Sequence, residues 1–145
     1  MNFKLPNKST LFKNISRDND ARGSILSIVD FPVKNVSIID SKAKTFRSNH
    51  YHHIDFHFMY LLEGEIDYFF KSLGSNQINY LKIKEKETIF TPANEIHCCY
   101  FPVFTSMVVS SGFPRDRETY EKDTERVDFI NNSNINEMIK KYGSK

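Results

Sequence analysis

Histidines carry the clearest chemical signal in this sequence. Four of the five lie between residues 47 and 57, in the run Arg-Ser-Asn-His-Tyr-His-His-Ile-Asp-Phe-His, and the fifth is His97. Two such tight groups favour one site built from both stretches over separate polar positions on strands. Converging imidazoles suit a divalent metal such as Zn, Fe, Ni or Mn. Without a metal, the same side chains can transfer protons near neutral pH.

The spacing of these histidines indicates how they meet. His50 and His52 are two residues apart, so in a strand both imidazoles project from the same face. His57 follows a turn at Asp55 that can bring it alongside them, whereas His97 must come from another strand. The predicted metal ligands are therefore His50, His52, His57 and His97.

The elements that position this site are predicted from short apolar segments of the sequence. They recur at intervals of about 8–12 residues between turn residues, which predicts about eight to ten strands in an all-β sandwich or barrel. Thr45–His52 and Glu95–Phe101, which carry His50, His52 and His97, are among the predicted strands. The run Phe56–Leu62 is apolar on both faces apart from His57, and Glu63-Gly64-Glu65 after it predicts a tight hairpin turn.

The C-terminal part has a different composition. Residues 112–126 are highly charged and are predicted to wrap the surface, although one of their arginines could close over a phosphate. Helical spacing over Asn134–Tyr142 predicts a short C-terminal helix. We expect a single domain over residues 1–145, with a core at about 20–112 and a polar extension at 113–145.

Composition favours sheet and excludes two kinds of partner. Aromatic residues make up 14% of the chain, and they are enriched in strands. The formal net charge of +2 offers no basic surface for nucleic acid. No signal peptide and no membrane span are expected, because the sequence shows no leading apolar run and no apolar run of about 18 residues. Cys98 and Cys99 are adjacent and cannot pair without strain, which favours a reducing compartment and a cytoplasmic location.

The histidine spacing resembles the two cupin motifs. The first cupin motif is His-x-His, four residues, Glu, six residues, Gly. Here His50 and His52 are followed after four residues by His57 and after six more by Gly64. The second motif has Pro-x-Gly, two residues, then His, and Pro92-Ala93-Asn94 precedes His97 by the same interval. The resemblance implies a cupin double-stranded β-helix, or jelly roll.

Three positions depart from the cupin pattern. His57 stands where the first motif has its carboxylate, so the implied ligand set is four neutral imidazoles. Lys86 stands at the opening Gly of the second motif, and Asn94 replaces its later Gly. Asn tolerates a positive φ better than most residues, so the exchange at Asn94 is physically mild.

A second resemblance is to the small cupins of nucleotide-sugar pathways. Arg22-Gly23 near the N-terminus and the segment Arg47–His52 are similar to those of the dTDP-4-keto-6-deoxyhexose 3,4-ketoisomerases and, more distantly, the 3,5-epimerases. Ser48-Asn49 replaces a Gly-x pair of those enzymes. The resemblance implies isomerisation or epimerisation of a nucleotide-linked keto sugar for surface polysaccharide.

Roles for individual residues follow from that resemblance and from the chemistry. His50 and His52 would shuttle protons on carbons next to a ketone, and Tyr51 or Asp55 would orient an imidazole or donate a proton. The predicted substrate-binding residues are Arg22 and Arg47, which would hold phosphates, and Tyr60, which would line the pocket.

Two classes of function stay open at this point. The first is the sugar isomerase or epimerase. The second is a metal-dependent cupin, either an oxygenase or isomerase of another small molecule or a non-catalytic binding module. No organic cofactor is expected in either class. The resemblance also implies a homodimer, for which the aromatic strands Phe56–Leu62 and Ile66–Phe70 are suitable material.

Overall fold

The structure, a computed structural model, describes residues 4–12 and 15–143. Strands dominate it, and two short α-helices lie in the C-terminal part. In chain order the elements are β1 (Thr10–Phe12), β2 (Ile15–Asp20), β3 (Gly23–Ser27), β4 (Asn35–Ser41), β5 (Thr45–His52), β6 (His57–Glu63), β7 (Glu65–Ser72), β8 (Asn79–Lys84), β9 (Thr88–Thr91), β10 (Glu95–Phe101), β11 (Thr105–Ser111), α1 (Arg117–Lys122), β12 (Thr124–Arg126) and α2 (Ile135–Tyr142). The three predicted histidine-bearing strands are confirmed as β5, β6 and β10.

Ten of these strands form two antiparallel sheets of five. The sheet orders are β1-β9-β6-β11-β4 and β12-β5-β10-β7-β8, and β2 with β3 forms a separate hairpin. Strands distant in sequence become neighbours, since β6 lies between β9 and β11. This interleaving is the jelly-roll arrangement, and it confirms the predicted all-β class.

The main core lies between the two sheets and follows from strand alternation. In β7, Ile66, Tyr68 and Phe70 point into it, whereas Phe69 lies on the opposite face, as a period of two residues requires. Met59 of β6 packs against them from the other sheet. Strands β6 and β7 were expected to contribute to a homodimer contact. In the structure they bury these side chains in the core of a single chain.

The hairpin turn between β6 and β7 and the histidines lie at opposite ends of the barrel that the two sheets form. Phe101 pairs with Thr45 at the turn end, whereas His57 pairs with Ser111 at the other end. Gly64 makes the predicted hairpin turn with a φ of +91°. A β-carbon there would stand 2.4 Å from a backbone oxygen of the neighbouring loop, so only glycine fits.

The chain after β11 completes the second sheet. β12 pairs with β5 at the edge of that sheet, and Phe129, Ile130 and Ile135 are buried on the sheet's outer face. The predicted C-terminal helix is confirmed as α2, which ends at Gly143. Apolar packing therefore extends into the predicted polar extension. Neither described helix has the length and apolar character needed to cross a membrane.

Candidate active site

A β-bulge in β5 aims the histidines inward. His97 of β10 pairs with His50, but Cys98 pairs with Ser48, so Asn49 is an extra residue on β5. Ser48 and Asn49 have φ values of 74° and 53°, a conformation that Asn adopts more readily than most residues. The Asn49 side chain donates to Ile130 O at 2.9 Å and accepts from Ile130 N at 3.0 Å. The bulge is thus fastened to the C-terminal part of the chain.

Three imidazoles meet inside the barrel end. His50 and His52 of β5 and His97 of β10 offer ligand nitrogens that all lie within 4.8 Å of one another. Their ring centroids stand 4.6 Å apart for the His50–His52 pair and 4.8 Å for the His50–His97 pair. All three are buried, with at most 6% of the residue exposed. We call these residues the imidazole triad.

Burial keeps the imidazole triad neutral. It lowers the pKa of His50 to about 2, of His52 to about 4 and of His97 to about 3, and the neighbouring imidazoles add to the shift in each case. His97 Nδ1 donates to Glu95 O at 3.0 Å, so its Nε2 carries a lone pair. Nε2 of His50 and Nε2 of His52 are buried with no partner among the described residues.

His57 belongs to a different arrangement. Its ring lies 4.7 Å from that of His52, but its Nε2 pairs with Asp55 Oδ2 at 3.1 Å. Asp55 Oδ1 accepts from Phe56 N at 2.8 Å and from Phe113 N at 3.1 Å. Burial alone would raise the pKa of Asp55, but the hydrogen bond and charge of His57 outweigh it and hold that pKa below its usual value. The structure therefore pairs His57 with a carboxylate and does not group it with the three predicted ligands.

The imidazole triad fits a divalent metal. Neutral imidazole nitrogens with free lone pairs are the ligands that Zn²⁺ and similar ions take in proteins. Two nitrogens at about 2.0–2.1 Å from one tetrahedral ion stand about 3.4 Å apart, so the three donors, which lie within 4.8 Å of one another, would approach each other by up to about 1.4 Å. The two unpartnered buried nitrogens of His50 and His52 are what such an ion would satisfy.

A cavity of about 300 Å³ opens beside these groups. His50 and His57 reach it, whereas His52 and His97 lie behind its wall. Apolar side chains, Cys99 among them, form part of the lining. The polar and charged side chains of the lining are Arg47, Ser48, His50, His57, Arg115, Tyr120 and Arg126.

The three arginines of the cavity are held to different degrees. Arg47 donates to Ser41 Oγ at 2.7 Å and to Asp40 O at 2.9 Å, which fixes its guanidinium. Arg126 pairs with Glu121 at 2.8 Å on the exposed side of α1. Nε of Arg115 is buried with no partner in the described part of the chain. The cavity therefore presents positive charge that is only partly neutralised.

Three predicted site residues lie elsewhere. Tyr51 alternates to the outer face of β5, where it packs against the apolar cluster under α2. Tyr60 is on the opposite face of β6 from Met59, which lines the cavity. Arg22 is exposed on the β2–β3 hairpin and forms an ion pair with Asp20. The structure brings none of the three to the imidazoles.

Tyr120 and Thr124 join the site without a sequence prediction. The Tyr120 ring of α1 lies 5.5 Å from that of His52 and 6.1 Å from that of His50, and the Arg115 guanidinium stands 5.6 Å above it. Thr124 of β12 lies opposite His52. The sequence indicates a site role for Tyr120 only weakly. It is the single aromatic residue in a charged helical segment, and such segments are typical of the protein surface.

Of the two cysteines, one faces the barrel interior and the other faces away from it. Cys99 lines the cavity and belongs to the main core, whereas Cys98 lies in the outer apolar cluster. Burial raises the pKa of the Cys99 thiol to about 12. Both thiols are therefore small core side chains and not reactive thiolates.

Solved structures with the same fold include two sugar 3,4-ketoisomerases. No family model matches the sequence, and no curated protein does. The QdtA 3,4-ketoisomerase from Thermoanaerobacterium thermosaccharolyticum, a double mutant in complex with TDP, superposes with a TM-score of 0.67 at 18% identity, over 95% of this chain and 99% of that one. A 3,4-ketoisomerase from Helicobacter canadensis gives 0.67 at 14% identity, over 81% and 90%.

A third neighbour is an epimerase. The rmlC epimerase of Mycobacterium tuberculosis superposes with a TM-score of 0.65 at 10% identity, over 83% of this chain and 68% of that one. These neighbours are cupin-fold proteins. The chain therefore has the cupin fold, as its motif spacing predicts.

Proposed function

We propose that this cupin-fold chain binds a nucleotide-linked keto sugar and isomerises or epimerises it by proton transfer. One observation carries the proposal: a single cavity of about 300 Å³ is lined by two imidazoles, His50 and His57, and three guanidinium groups, those of Arg47, Arg115 and Arg126. The arginine cations can bind a diphosphate, and an imidazole can remove a proton from the carbon next to a ketone.

The arginines suit a diphosphate. Guanidinium groups bind phosphate oxygens through paired N–H donors, and such bonds are about twice as strong as neutral ones. Arg115 has a buried Nε without a described partner, so a phosphate oxygen would satisfy a group that is otherwise costly to bury. Arg126 would exchange Glu121 for the ligand, while Arg47 is already held in place.

Proton transfer would use the groups that face the cavity. His50 is uncharged in the unliganded protein, because burial lowers its pKa, and its Nε2 has no partner among the described residues. The negative charge of a bound diphosphate would raise that pKa towards the range in which an imidazole acts as a base. His50 would take the proton from the carbon next to the ketone, and the Tyr120 hydroxyl or the His57–Asp55 pair would supply a proton to the enolate oxygen. Isomerisation then returns a proton to the former carbonyl carbon, while the hydroxyl on the deprotonated carbon gives up its proton and becomes the new ketone. Epimerisation instead delivers a proton to the original carbon from its opposite face, and the enol oxygen gives up its proton to restore the ketone.

The structural neighbours support this substrate class. QdtA has been solved with TDP and, as a variant, with TDP-4-keto-6-deoxyglucose. The superposition covers 99% of the QdtA chain, so nearly the whole ketoisomerase has a counterpart in this chain. The support concerns the class of substrate, a nucleotide-linked keto sugar.

A second candidate is a divalent-metal site in the imidazole triad. The buried, unpartnered nitrogens of His50 and His52 beside His97 favour it. When bound, the metal would supply a Lewis acid that polarises a carbonyl oxygen. His50 would then serve as a ligand, and proton transfer would fall to His57 with Asp55. The two candidates share the cavity and differ in the role of His50.

Ligand binding and deuterium exchange test the first candidate. We expect the protein to bind dTDP and to incorporate solvent deuterium into dTDP-4-keto-6-deoxyglucose or into a UDP- or GDP-linked keto sugar. Arg115→Ala should weaken dTDP binding by about tenfold or more, since hydrogen bonds to charged groups contribute about 1.5–3 kcal/mol. Arg22→Ala is the matched control, because Arg22 is exposed on the hairpin and paired with Asp20.

A second variant separates chemistry from binding. His50→Asn should abolish exchange and leave dTDP binding within about threefold, because His50 faces the reacting carbons in this proposal and not the phosphates. A panel of dTDP-, UDP- and GDP-linked keto sugars that neither binds nor exchanges deuterium would reject the sugar proposal.

A further inference from the structure

Thr124 occupies a special place beside the imidazole triad. It opens β12, where it pairs with His52 across the sheet edge, and only 7% of the residue is exposed. Its Oγ1 lies 2.6 Å from Tyr120 O and 3.3 Å from His52 Nδ1. One hydroxyl thus bridges the last turn of α1 and a triad imidazole.

The hydrogens at this bridge can be counted. A carbonyl oxygen only accepts, so Thr124 must donate its single hydroxyl proton to Tyr120 O. Towards His52 the same oxygen can only accept, so His52 Nδ1 must carry the proton. Asp123 favours the same assignment, because its Oδ2 lies 3.7 Å from the same nitrogen and its backbone carbonyl accepts a hydrogen bond from His52.

The other nitrogen of His52 is therefore left bare. A neutral imidazole has one N–H, so with Nδ1 protonated the lone pair is on Nε2. That Nε2 is one of the buried nitrogens without a described partner. His97 has the same form, because its Nδ1 donates to Glu95 O. Two members of the triad are thus held with Nδ1 protonated and Nε2 free to bind.

We propose that Thr124 is a positioning residue that holds His52 in its Nδ1–H tautomer and thereby sets the affinity of the imidazole triad for a divalent metal. The inference rests on the second candidate function. Outer hydrogen-bond partners of ligating histidines typically change metal affinity by about 10- to 100-fold. Thr124 lies outside both histidine stretches, in the charged segment, so it makes metal affinity depend on the C-terminal part of the chain.

Titration of the full-length, metal-free protein with Co²⁺ tests the inference. Thr124→Val keeps the shape and removes the acceptor, and it should weaken Co²⁺ binding by about 10- to 100-fold. Thr124→Ser keeps the hydroxyl and should stay within about threefold of the wild type. Thr45→Val is the matched control: Thr45 also donates to a backbone carbonyl, Lys42 O at 2.6 Å, but at the far end of β5. It should leave Co²⁺ affinity unchanged.

The tautomer itself can be observed without metal or variant. Long-range ¹H–¹⁵N spectra of the imidazoles should show His52 protonated at Nδ1 in the wild type. A wild type with His52 protonated at Nε2, or a folded Thr124→Val protein that binds Co²⁺ as tightly as the wild type, would overturn the inference. Failure of the wild type to bind Co²⁺ would instead reject the metal candidate, and a comparison of the wild-type and Thr124→Val spectra would still test the role of Thr124 in holding the tautomer.

Discussion

The imidazole triad and the Asp55–His57 pair lie side by side, yet they satisfy their polar atoms in opposite ways. His52 and His57 have ring centroids only 4.7 Å apart. The triad leaves two buried nitrogens unpartnered within the described chain, whereas the carboxylate of Asp55 accepts hydrogen bonds from His57 and from two backbone N–H groups. The fold thus keeps one group neutral and open to a ligand and the other paired.

This difference changes the meaning of the replaced cupin carboxylate. His57 stands where the motif has Glu, which suggests a fourth imidazole ligand. In the structure a carboxylate is still present two residues earlier, at Asp55, and it holds His57 by its Nε2. The position thus contributes a paired acid–base group beside a three-imidazole cluster.

Acid should act on the triad first, and this is the largest effect we expect. Unfolded imidazoles have a pKa near 6.5, but the folded values are about 2, 4 and 3 for His50, His52 and His97. Below pH 6.5 the unfolded chain binds protons that the folded chain refuses, so stability is present above that pH and is lost as the pH falls. At pH 5 each imidazole should cost on the order of 2 kcal/mol in the metal-free protein.

Urea unfolding across pH 7.5 to 5 measures this loss. His53→Ala should leave the pH dependence unchanged, because His53 is exposed and lies outside the triad. His50→Leu should reduce the slope of the unfolding free energy against pH by the contribution of one imidazole. A free energy of unfolding that stays constant over this range would show that the triad is not held neutral.

Removal of the Asp55 carboxylate should lower the free energy of unfolding, but by less than acid lowers it through the whole imidazole triad. Asp55→Ala leaves Phe56 N, Phe113 N and His57 Nε2 without their acceptor, and each buried unsatisfied group costs about 1–3 kcal/mol. We expect a loss of about 3 kcal/mol in urea unfolding at pH 7.5. Asp128→Ala, at an exposed residue with one side-chain hydrogen bond, should change stability by no more than about 0.5–1 kcal/mol. A loss below about 1 kcal/mol in Asp55→Ala would contradict the role given to the carboxylate.

Removing an unpartnered imidazole should have the smallest effect and the opposite sign. His50→Leu replaces a buried polar group without a described partner at Nε2 by an apolar side chain of similar size. The metal-free protein should gain about 1 kcal/mol or stay unchanged. The same substitution at His57 should destabilise, because it strands the Asp55 carboxylate. Equal losses at both positions would remove the distinction between the triad and the pair.

Much of the frame could be predicted from the sequence, because it depends on local rules. Strand alternation places His50 and His52 on one face, and the same rule could have placed Tyr51 on the other. Gly64 forms the predicted tight turn, and Asn94 has the positive φ of 59° that its place in the motif suggests. These features need only neighbours in sequence.

The missing parts depend on contacts between distant segments. The bulge at Asn49 is fastened by Ile130, and the tautomer of His52 depends on Thr124, both more than 70 residues away. Tyr120 reaches the cavity only because β12 pairs with β5. A charged segment that covers a site has the same composition as one that lies free on the surface, so periodicity could not separate the two.

Metal content as purified tests the division of the histidines most directly. The wild type, His97→Ala and His57→Ala would be compared by elemental analysis after identical purification. We predict about one equivalent of divalent metal per chain in the wild type, its loss in His97→Ala and its retention in His57→Ala. A metal-free wild type would reject the metal candidate and leave His50 in the role of base, whereas metal that survives His97→Ala and is lost from His57→Ala would contradict the division of the histidines into triad and pair.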